Sequence, residues 1–282
     1  MHPVEAGPGP LDRLLVVKAG GRALAQNLDG ILDSVAWATR QGYHVVFVHG
    51  GGDLVTEYSK RMGVEPKIMV SASGVRFRYT DEKELEVFVM VLAGLLNKRI
   101  VAGLEKRGVT AIGLSGVDAG ILRAERKKHV IVRDPETGRK RLLPGGYTGK
   151  IRGVNSEALR RLLNAGFTVV LAPLALGSEG EMLNVDGDQA AAEVAKALRA
   201  EKLILLTDVE GLILDGRLVE RLTPSEARAL IEKIGPGMNR KVMMAVEALE
   251  AGVGEVVIGS GLGENPIERL LLGAPATRLV RC

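Results

Sequence analysis

Four times along the chain a helical pattern ends in glycine, and an apolar run of strand length follows within a few residues. The four are Gly42-Tyr-His-Val-Val-Phe-Val, Gly108-Val-Thr-Ala-Ile-Gly-Leu, Gly166-Phe-Thr-Val-Val-Leu and Gly252-Val-Gly-Glu-Val-Val-Ile. Glycine suits the left-handed position that closes a helix, and short runs rich in Val, Ile and Leu read as strands. The runs do not alternate with polar residues, so both faces are expected to be covered, as in a mainly parallel sheet between helix layers. Further strands are expected at 14–17, 45–48 and 203–206. Asp81 with Glu84 predicts a capping box opening a long helix to about Lys106, and Thr223-Pro224-Ser225-Glu226 predicts another helix start. The pattern as a whole predicts an α/β chain, a three-layer αβα sandwich, with a loose Pro/Gly tail over 1–12 and two lobes, 13–180 and 181–282, sharing one sheet. Residues 121–146 break the pattern: apolar 130–132 and Leu142-Leu143 flank Asp134-Pro135-Glu136-Thr137-Gly138, which predicts a hairpin flap at the edge of the first lobe.

Two strand ends carry chemistry. The run 45–48 leads through His49 into Gly50-Gly51-Gly52-Asp53, with a helical pattern from Leu54, and a tight turn needs one or two glycines rather than three. A backbone bare of side chains at a helix N-terminus lets N–H groups close on an anion. Gly20-Gly21 follows the first strand in the same way, with Lys18 just ahead, and the pair of turns suggests a phosphoryl-transfer site. Standard nucleotide signatures are missing: Gly149-Lys150 is followed by Ile151, with Pro144 where a Walker A motif needs glycine, and no Gly-x-Gly-x-x-Gly links a strand to a helix. Asn184-Val-Asp186-Gly-Asp188-Gln-Ala-Ala-Ala puts three polar groups ahead of an alanine helix, where one Asp alone would be an ordinary N-cap. Thr207-Asp208-Val209-Glu210-Gly211 is another strand-end turn, and Gly235-Pro-Gly-Met-Asn-Arg-Lys241 sets a lysine on the first turn of a helix, a position that solvated lysines commonly hold.

Composition narrows the classes. A hydrophobic fraction of 46% supports a sizeable core, whereas 3% aromatic leaves few stacking platforms for single-stranded nucleic acid. The single cysteine, Cys282, excludes an internal disulfide or thiolate metal site and fits a reducing cytoplasm. His2, His44, His49 and His129 lack metal-ligand spacing, so no metal site is expected. No unbroken apolar run reaches the ~18 residues of a membrane span, and a signal-peptide core is missing. Between Arg123 and Arg141 eight Lys/Arg face three acids, more than the whole net charge of +4, so the basicity is local and points to one acidic partner.

The ordered set Lys18-x-Gly20-Gly21, His49-Gly50-Gly51-Gly52, Arg78-Tyr-Thr80, Asn97-Lys98, Gly113-Leu-Ser-Gly, Asn184-x-Asp186-x-Asp188-Gln-Ala-Ala, Thr207-Asp208-Val-x-Gly211 and Gly237-Met238-x-x-Lys241 resembles the amino acid kinase family across 14–282. Within it the chain is similar to N-acetylglutamate kinases and to the kinases of lysine and arginine biosynthesis that act on aminoadipate or glutamate attached to the small acidic carrier protein LysW. Tyr147-Thr148-Gly149, Glu264-Asn-Pro-Ile-Glu-Arg and the basic hairpin lean to the carrier-dependent branch. The resemblance implies ATP as donor, Mg²⁺ held mainly by the nucleotide, an amino-acid lobe over 13–180 and a nucleotide lobe over 181–282. It implies that Lys18 and Lys241 bind the transferring phosphoryl and the nucleotide phosphates, with Asp188 orienting both rather than acting as a base. Gly20, Gly21, Gly51 and Gly52 would donate amides to the phosphoryl group; Arg78 and Asn184, with Gly51 and Gly52, would hold the amino-acid substrate. Thr207, Asp208, Gly211, Gly237 and Met238 would meet the nucleotide, and Arg123, Arg126, Lys127, Lys128, Arg139, Lys140 and Arg141 the carrier. The short tail leaves no room for the N-terminal helix of arginine-inhibited hexamers, which implies a homodimer without arginine feedback. An N-acetylglutamate kinase and a catalytically idle nucleotide-binding regulatory module are the other readings, the second disfavoured because both lysines and the aspartate are present.

Overall fold

The computed structural model describes residues 11–71, 74, 76–133, 139–235 and 237–281. Residues 1–10, 72, 73, 75, the hairpin turn 134–138, Pro236 and Cys282 lie outside the described residues, so most of the tail, the turn and the terminal cysteine are not described further.

The chain begins with β1 (Leu14–Ala19), α1 (Gly21–Arg40), β2 (His44–His49) and α2 (Gly52–Arg61). A small hairpin follows, β3 (Lys67–Val70) with β4 (Arg76–Tyr79), and then a continuous helical rod, Glu82–Glu105. The rod consists of α3 (Glu82–Phe88), a π-helical stretch Val89–Leu96 and α4 (Asn97–Glu105). Next come β5 (Ala111–Gly116), β6 (Leu122–Arg126), β7 (His129–Arg133), β8 (Lys140–Pro144), β9 (Gly149–Val154), α5 (Ser156–Asn164), β10 (Thr168–Leu176) and β11 (Met182–Asn184). The remainder is α6 (Gly187–Leu198), β12 (Lys202–Thr207), the short hairpin β13 (Ile213–Leu214) and β14 (Arg217–Leu218), β15 (Arg221–Leu222), α7 (Pro224–Leu230), α8 (Met238–Glu250), β16 (Glu255–Ser260), α9 (Pro266–Leu271) and β17 (Thr277–Val280).

An 11-stranded sheet runs through the molecule in the order β15-β17-β16-β12-β1-β2-β10-β6-β9, with β5 and β11 also on β10. Its central pairs are parallel; β6–β9, β10–β11 and β16–β17 are antiparallel. Successive residues of the central strands point to opposite cores. Leu14, Val16, Val46, Val48, Leu203 and Leu205 pack with residues of α5, α6, α7 and α8. Leu15, Val17, Val45, Phe47, Ile204 and Leu206 pack with residues of α1, α2, the long rod and α9. This is the three-layer αβα sandwich that the non-alternating runs predict. All four helix-closing glycines hold positive φ, from +75° at Gly108 to +113° at Gly252.

Two local expectations change. Asp81 does cap α3, accepting from the Glu84 N–H, but the Glu84 carboxylate is not turned back to close a capping box; it takes the Arg78 guanidinium instead. Thr223 and Glu226 do form a full box. The basic hairpin is shorter than 121–146, because Leu122 and Ala124 are buried and tie β6 into the main sheet beside β9 and β10. The hairpin proper is β7–β8, which meets β3 through the Ser71–Val132 bridge. The long rod is, by length and composition, apolar enough to cross a membrane, although it holds no single unbroken run of that length. Its buried residues, among them Leu85, Phe88, Leu92, Ile100 and Leu104, pack on the sheet.

Candidate active site

Strands β12, β1 and β2 are neighbours and parallel, so their carboxyl ends open on one side of the sheet, where ligands of α/β sheets bind. The first turns of α1, α2, α6 and α8 gather there. Gly20 caps α1 and Gly51 caps α2, and the two turns abut: a Cβ added at Gly21 would lie 3.2 Å from the Gly51 nitrogen. Gly51 holds φ +151°, and a Cβ there would meet Leu92 and Leu96 of the π-helical stretch at 2.6 and 2.7 Å. The Gly51 position therefore needs glycine for space as well as conformation, whereas Gly21 is constrained by the close approach alone. The Gly20 N–H extends the β1–β12 ladder to the Leu206 carbonyl at 3.3 Å, so in this structure it is engaged rather than offered to a ligand. Gly21, Gly51 and Gly52 supply the open amides at the helix starts.

Lys18 and Lys241 line a cavity with Gly20 and Gly21, and Asp188 joins them. The Lys18 Nζ is 2.7 Å from Asp188 Oδ1, and the Lys241 ammonium meets the other carboxylate oxygen, Oδ2. Lys18 is 8% exposed. Burial alone would push the Asp188 carboxyl up, but two ammonium groups against it hold it well below the usual carboxylate range. Burial pulls the Lys18 pKa down, and Asp188 more than restores it, so that group sits above its ordinary value. Lys241 sits below its own, because burial and the neighbouring Lys18 charge outweigh what Asp188 returns. Three formal charges leave a net positive site, arranged around one fixed anion.

Asp186 takes the ordinary role that its position suggested: it caps α6, accepting from the Gln189 N–H, and its carboxylate also pairs with Arg240 at 3.3 Å. The neighbouring Gly187 brings the helix start close, since a Cβ there would be 3.5 Å from Lys18 Cε.

Two cavities flank the two glycine turns. The larger, about 470 Å³, is lined by Gly50, Gly51, Gly52, Arg78, Phe88, Leu92, Thr148, Asn184, Gly187 and Arg240, with further residues around its rim. Arg78 is pre-positioned in its wall. One end of the guanidinium pairs with buried Glu84, and Nη2 donates to the Gly52 carbonyl at 2.8 Å and to Thr56. Asn184 donates to the Thr80 hydroxyl at 2.8 Å, which leaves its side-chain carbonyl available. The smaller cavity, about 200 Å³, is lined by Lys18, Gly20, Gly21, Arg22, Thr207, Asp208 and Lys241. Asp208 pairs with Arg22 at 2.6 Å. Of the residues expected to meet a nucleotide, Thr207 and Asp208 line this cavity. Gly237 and Met238 instead form the start of α8 without lining it. Gly211 is packed under Thr277, whose hydroxyl would be 2.6 Å from a Cβ there, so its glycine is accounted for by packing.

The seven basic residues expected to meet a partner are not one surface. Lys127 lines the larger cavity. The Arg126 guanidinium lies over the Tyr147 ring, 4.2 Å from its centre, and Nε donates to the Gly146 carbonyl at 2.6 Å. The Arg123 side chain lies against Gly120. Arg123 and Arg126 thus sit on β6, Lys127 and Lys128 in the link to the hairpin, and Arg139, Lys140 and Arg141 at the start of β8.

Three residues with structural weight at the site had no assigned role in the sequence. His49, fully buried, shares one ring nitrogen with the Gly50 carbonyl at 3.0 Å and the other with Asn97 Nδ2 at 3.3 Å. Asn97 also reaches the carbonyls of Leu114 and Val170, tying the glycine turn to β5 and β10. Burial drops the His49 pKa to about 4, so the ring is neutral and its orientation is set by those two contacts. The other two are Glu84, hidden in an apparent cap, and Arg240, one residue before Lys241. A charged residue adjacent to a helix-start lysine was the only signal for the last.

The sequence profile of the amino acid kinase family matches residues 13–260. A protein of Ignicoccus hospitalis is 52% identical over 259 residues, 91% of this chain and 96% of its own. The [LysW]-aminoadipate/[LysW]-glutamate kinase of Saccharolobus solfataricus is 50% identical over 255 residues, 90% of this chain and 95% of its own. Among solved structures, N-acetylglutamate synthase of Neisseria gonorrhoeae with coenzyme A and N-acetyl-glutamate superposes at a TM-score of 0.77 with 29% identity. That match covers 96% of this chain and 60% of the synthase. Carbamate kinase of Giardia lamblia bound to AMP-PNP, at a TM-score of 0.69 and 16% identity over 98% of this chain and 99% of its own, shares the fold.

Proposed function

This chain belongs to the amino acid kinase family, and from that premise we propose that it transfers the γ-phosphoryl group of ATP to the side-chain carboxylate of 2-aminoadipate, and of glutamate, carried on the amino-group carrier protein LysW. The observation that carries the reading is the Lys18–Asp188–Lys241 cluster, whose two lysines line a cavity with the Gly20–Gly21 turn. Transfer between two anions needs charge neutralisation and alignment more than proton chemistry, because the acceptor carboxylate is already ionised at neutral pH. Lys18 and Lys241 neutralise the moving group and the nucleotide phosphates. Asp188 fixes where both ammonium groups point and is no base, its pKa being held far below neutrality. The amides of Gly21, Gly51 and Gly52 add uncharged donors, with the positive ends of α1 and α2 behind them.

Arg78, braced by Glu84, and Asn184 hold the α-carboxylate in the larger cavity, so that the side chain extends toward the glycine turns. The nucleotide enters by way of the smaller cavity, over Thr207 and Asp208. Residues 13–180 then serve as the amino-acid and carrier lobe and 181–282 as the nucleotide lobe. The described residues include no group of three or more His, Cys, Asp or Glu able to hold a metal, so Mg²⁺ would ride on the phosphates and supply charge neutralisation there. Lys127 and the β7–β8 hairpin would meet the acidic carrier. The reading includes a cytoplasmic homodimer in lysine and arginine biosynthesis. What supports the homodimer is the long rod, whose apolar 18-residue window is less than half buried by this chain, with Met90 48% exposed.

The deciding assay is ATP turnover on carrier-linked aminoadipate, carrier-linked glutamate and free N-acetylglutamate, side by side. Turnover of the carrier-linked substrates is expected. Efficient turnover of N-acetylglutamate alone would move the enzyme to the sister activity.

A further inference from the structure

Arg22 is a cation at the phosphoryl-transfer end of the sheet that the Lys18–Asp188–Lys241 cluster does not account for. It is the second residue of α1, directly after the Gly20–Gly21 turn. A positive side chain is poorly placed there, because the first turn of a helix already carries the positive end of its dipole. The first turn of α1 holds no acidic residue to offset it. What stands against the guanidinium comes from the end of another strand: Asp208, the residue after β12, accepts from Nη1 at 2.6 Å. The pair is open to solvent, with the Arg22 side chain 72% exposed, so it adds little to folding stability. The Nε and Nη2 donors, a complete two-donor edge of the guanidinium, meet no partner among the described residues.

The location gives this cation an anion to serve. Arg22 lines the smaller cavity with Lys18, Gly21, Thr207 and Lys241, and is absent from the lining of the larger one. Three cations there, Lys18, Lys241 and Arg22, stand against two carboxylates, Asp188 and Asp208, which leaves one positive charge before the dipole of α1 is counted. Such a field favours a polyanion. We infer that Arg22 is a third phosphate-binding cation, which keeps Asp208 on Nη1 and closes its free edge on the β-phosphate of the nucleotide, the group that departs with ADP. This rests on the proposed reading of the smaller cavity as the place where the nucleotide enters. The lysine pair, held inward by Asp188, takes the moving phosphoryl, and the exposed cation on the Asp208 side is left for the phosphates behind it. Arginine suits that task better than lysine, since its planar fork can hold a carboxylate at one corner and a phosphate along another edge.

Calorimetry of ADP binding to the full chain in the presence of Mg²⁺, repeated over a series of salt concentrations, tests it. Arg22→Gln should weaken ADP by about tenfold or more, as the loss of a charged hydrogen-bonded contact does. Its affinity should also fall less steeply with salt than that of the wild type, because one charge no longer faces the phosphates. Arg22→Lys, which keeps the charge and loses the fork, should lie between the two. Circular dichroism of each variant confirms folding. Wild-type affinity in Arg22→Gln, or a loss of affinity with unchanged salt dependence, would overturn the inference. A wild-type chain that bound no ADP would remove the nucleotide cavity and the inference with it. The choice of acceptor is judged separately, by turnover of the carrier-linked substrates: it can stand when Arg22→Gln binds ADP normally, and the Arg22 contact can be found when that turnover is absent.

Discussion

Glu84 holds Arg78 in place. The carboxylate is 2% exposed and the guanidinium 9%, and the Ser59 hydroxyl donates to the second carboxylate oxygen at 3.2 Å. Removing one partner of a buried ion pair leaves the other charge uncompensated, at a cost of about 3–5 kcal/mol. Glu84→Ala should therefore lower stability on that scale in denaturant titration. Glu84→Gln, which keeps a hydrogen-bond acceptor, should fold and raise KM for the amino-acid substrate more than it lowers kcat. A Glu84→Gln enzyme with unchanged KM would show that Arg78 does not depend on this brace.

The lysine cluster gives a rate and a pH prediction. Lys18→Ala or Lys241→Ala should lower kcat by about 10²- to 10³-fold or more, since a contact made mainly in the transition state is lost. Lys241 has its pKa lowered by burial and by Lys18, so its charge is lost at a lower pH than that of an ordinary lysine. Activity needs the charged form, so the rate should fall as pH rises through that lowered pKa. Lys241→Arg should move the fall to higher pH. Asp188 is ionised across the working range and should contribute no acidic limb, although Asp188→Asn should be severe. A bell-shaped profile whose acid limb disappears in Asp188→Asn would contradict its assignment as an orienting anion.

His49 links the glycine turn to acid stability. Its folded pKa of about 4 lies below the usual histidine value of 6.5. The unfolded chain therefore takes up a proton at this position before the folded one does, and stability must fall as pH drops from 6.5 toward 4. The slope from this one residue approaches about 1.4 kcal/mol per pH unit. Equilibrium unfolding at stepped pH should show it, and the slope over that window should be reduced in His49→Gln. An unchanged slope would mean that His49 is not the titrating group.

Much of this was readable in the residues, and the failures have physical causes. The runs around β1, β2, β10, β12 and β16 gave the layers because a buried parallel strand has no solvent face to encode, and Gly42, Gly108, Gly166 and Gly252 marked the turns. Lys18, Asp188 and Lys241, up to 223 positions apart in the numbering, were legible only through motifs met in order, since nothing local in the chain brings them together. Glu84 matched a capping signature while its carboxylate answered a partner in β4, a tertiary contact that spacing along a helix cannot reveal. A glycine turn displays its N–H groups, which makes Gly20 a donor on sequence alone, yet here the ladder extends one bond beyond the strand and engages its amide. The hairpin reads as longer in the sequence than in the structure because charge hides the alternation of Leu122 and Ala124, which face the core.

The basic stretch should divide into two classes of variant. Lys140 is exposed on β8, whereas Arg126 is stacked on Tyr147 and bonded to Gly146. Reversing Lys140 together with Arg139 and Arg141 should raise KM for carrier-linked substrate, and the effect should shrink above about 0.15 M salt, where the screening length is about 8 Å. Arg126→Ala should impair carrier-linked and small substrates alike, because it loosens the Gly146–Tyr147 segment beside the cavity. If the β8 reversal also affected both substrates equally and without salt dependence, the hairpin would be a lid and not a docking surface.

Selectivity between the two amino acids rests on one methylene. Burying a methylene is worth about 0.8 kcal/mol, and pockets separate such homologues by about 10- to 200-fold. Arg78 and Asn184 would hold the α-carboxylate of either, so they do not discriminate. The discriminating dimension is the depth from Arg78 to the glycine turns, where Phe88 and Leu92 form the apolar wall. The π-helical stretch carries Leu92 into that wall, next to the Gly51 turn, where an added Cβ would meet Leu92 and Leu96. Both carrier-linked amino acids should therefore be phosphorylated, with catalytic efficiencies within about 200-fold of each other in direct competition. Leu92→Ala should enlarge the slot and shift the ratio toward aminoadipate, the longer substrate. A wild-type ratio beyond about a thousandfold exceeds what one methylene supplies, and it would require a polar or steric gate other than this apolar wall.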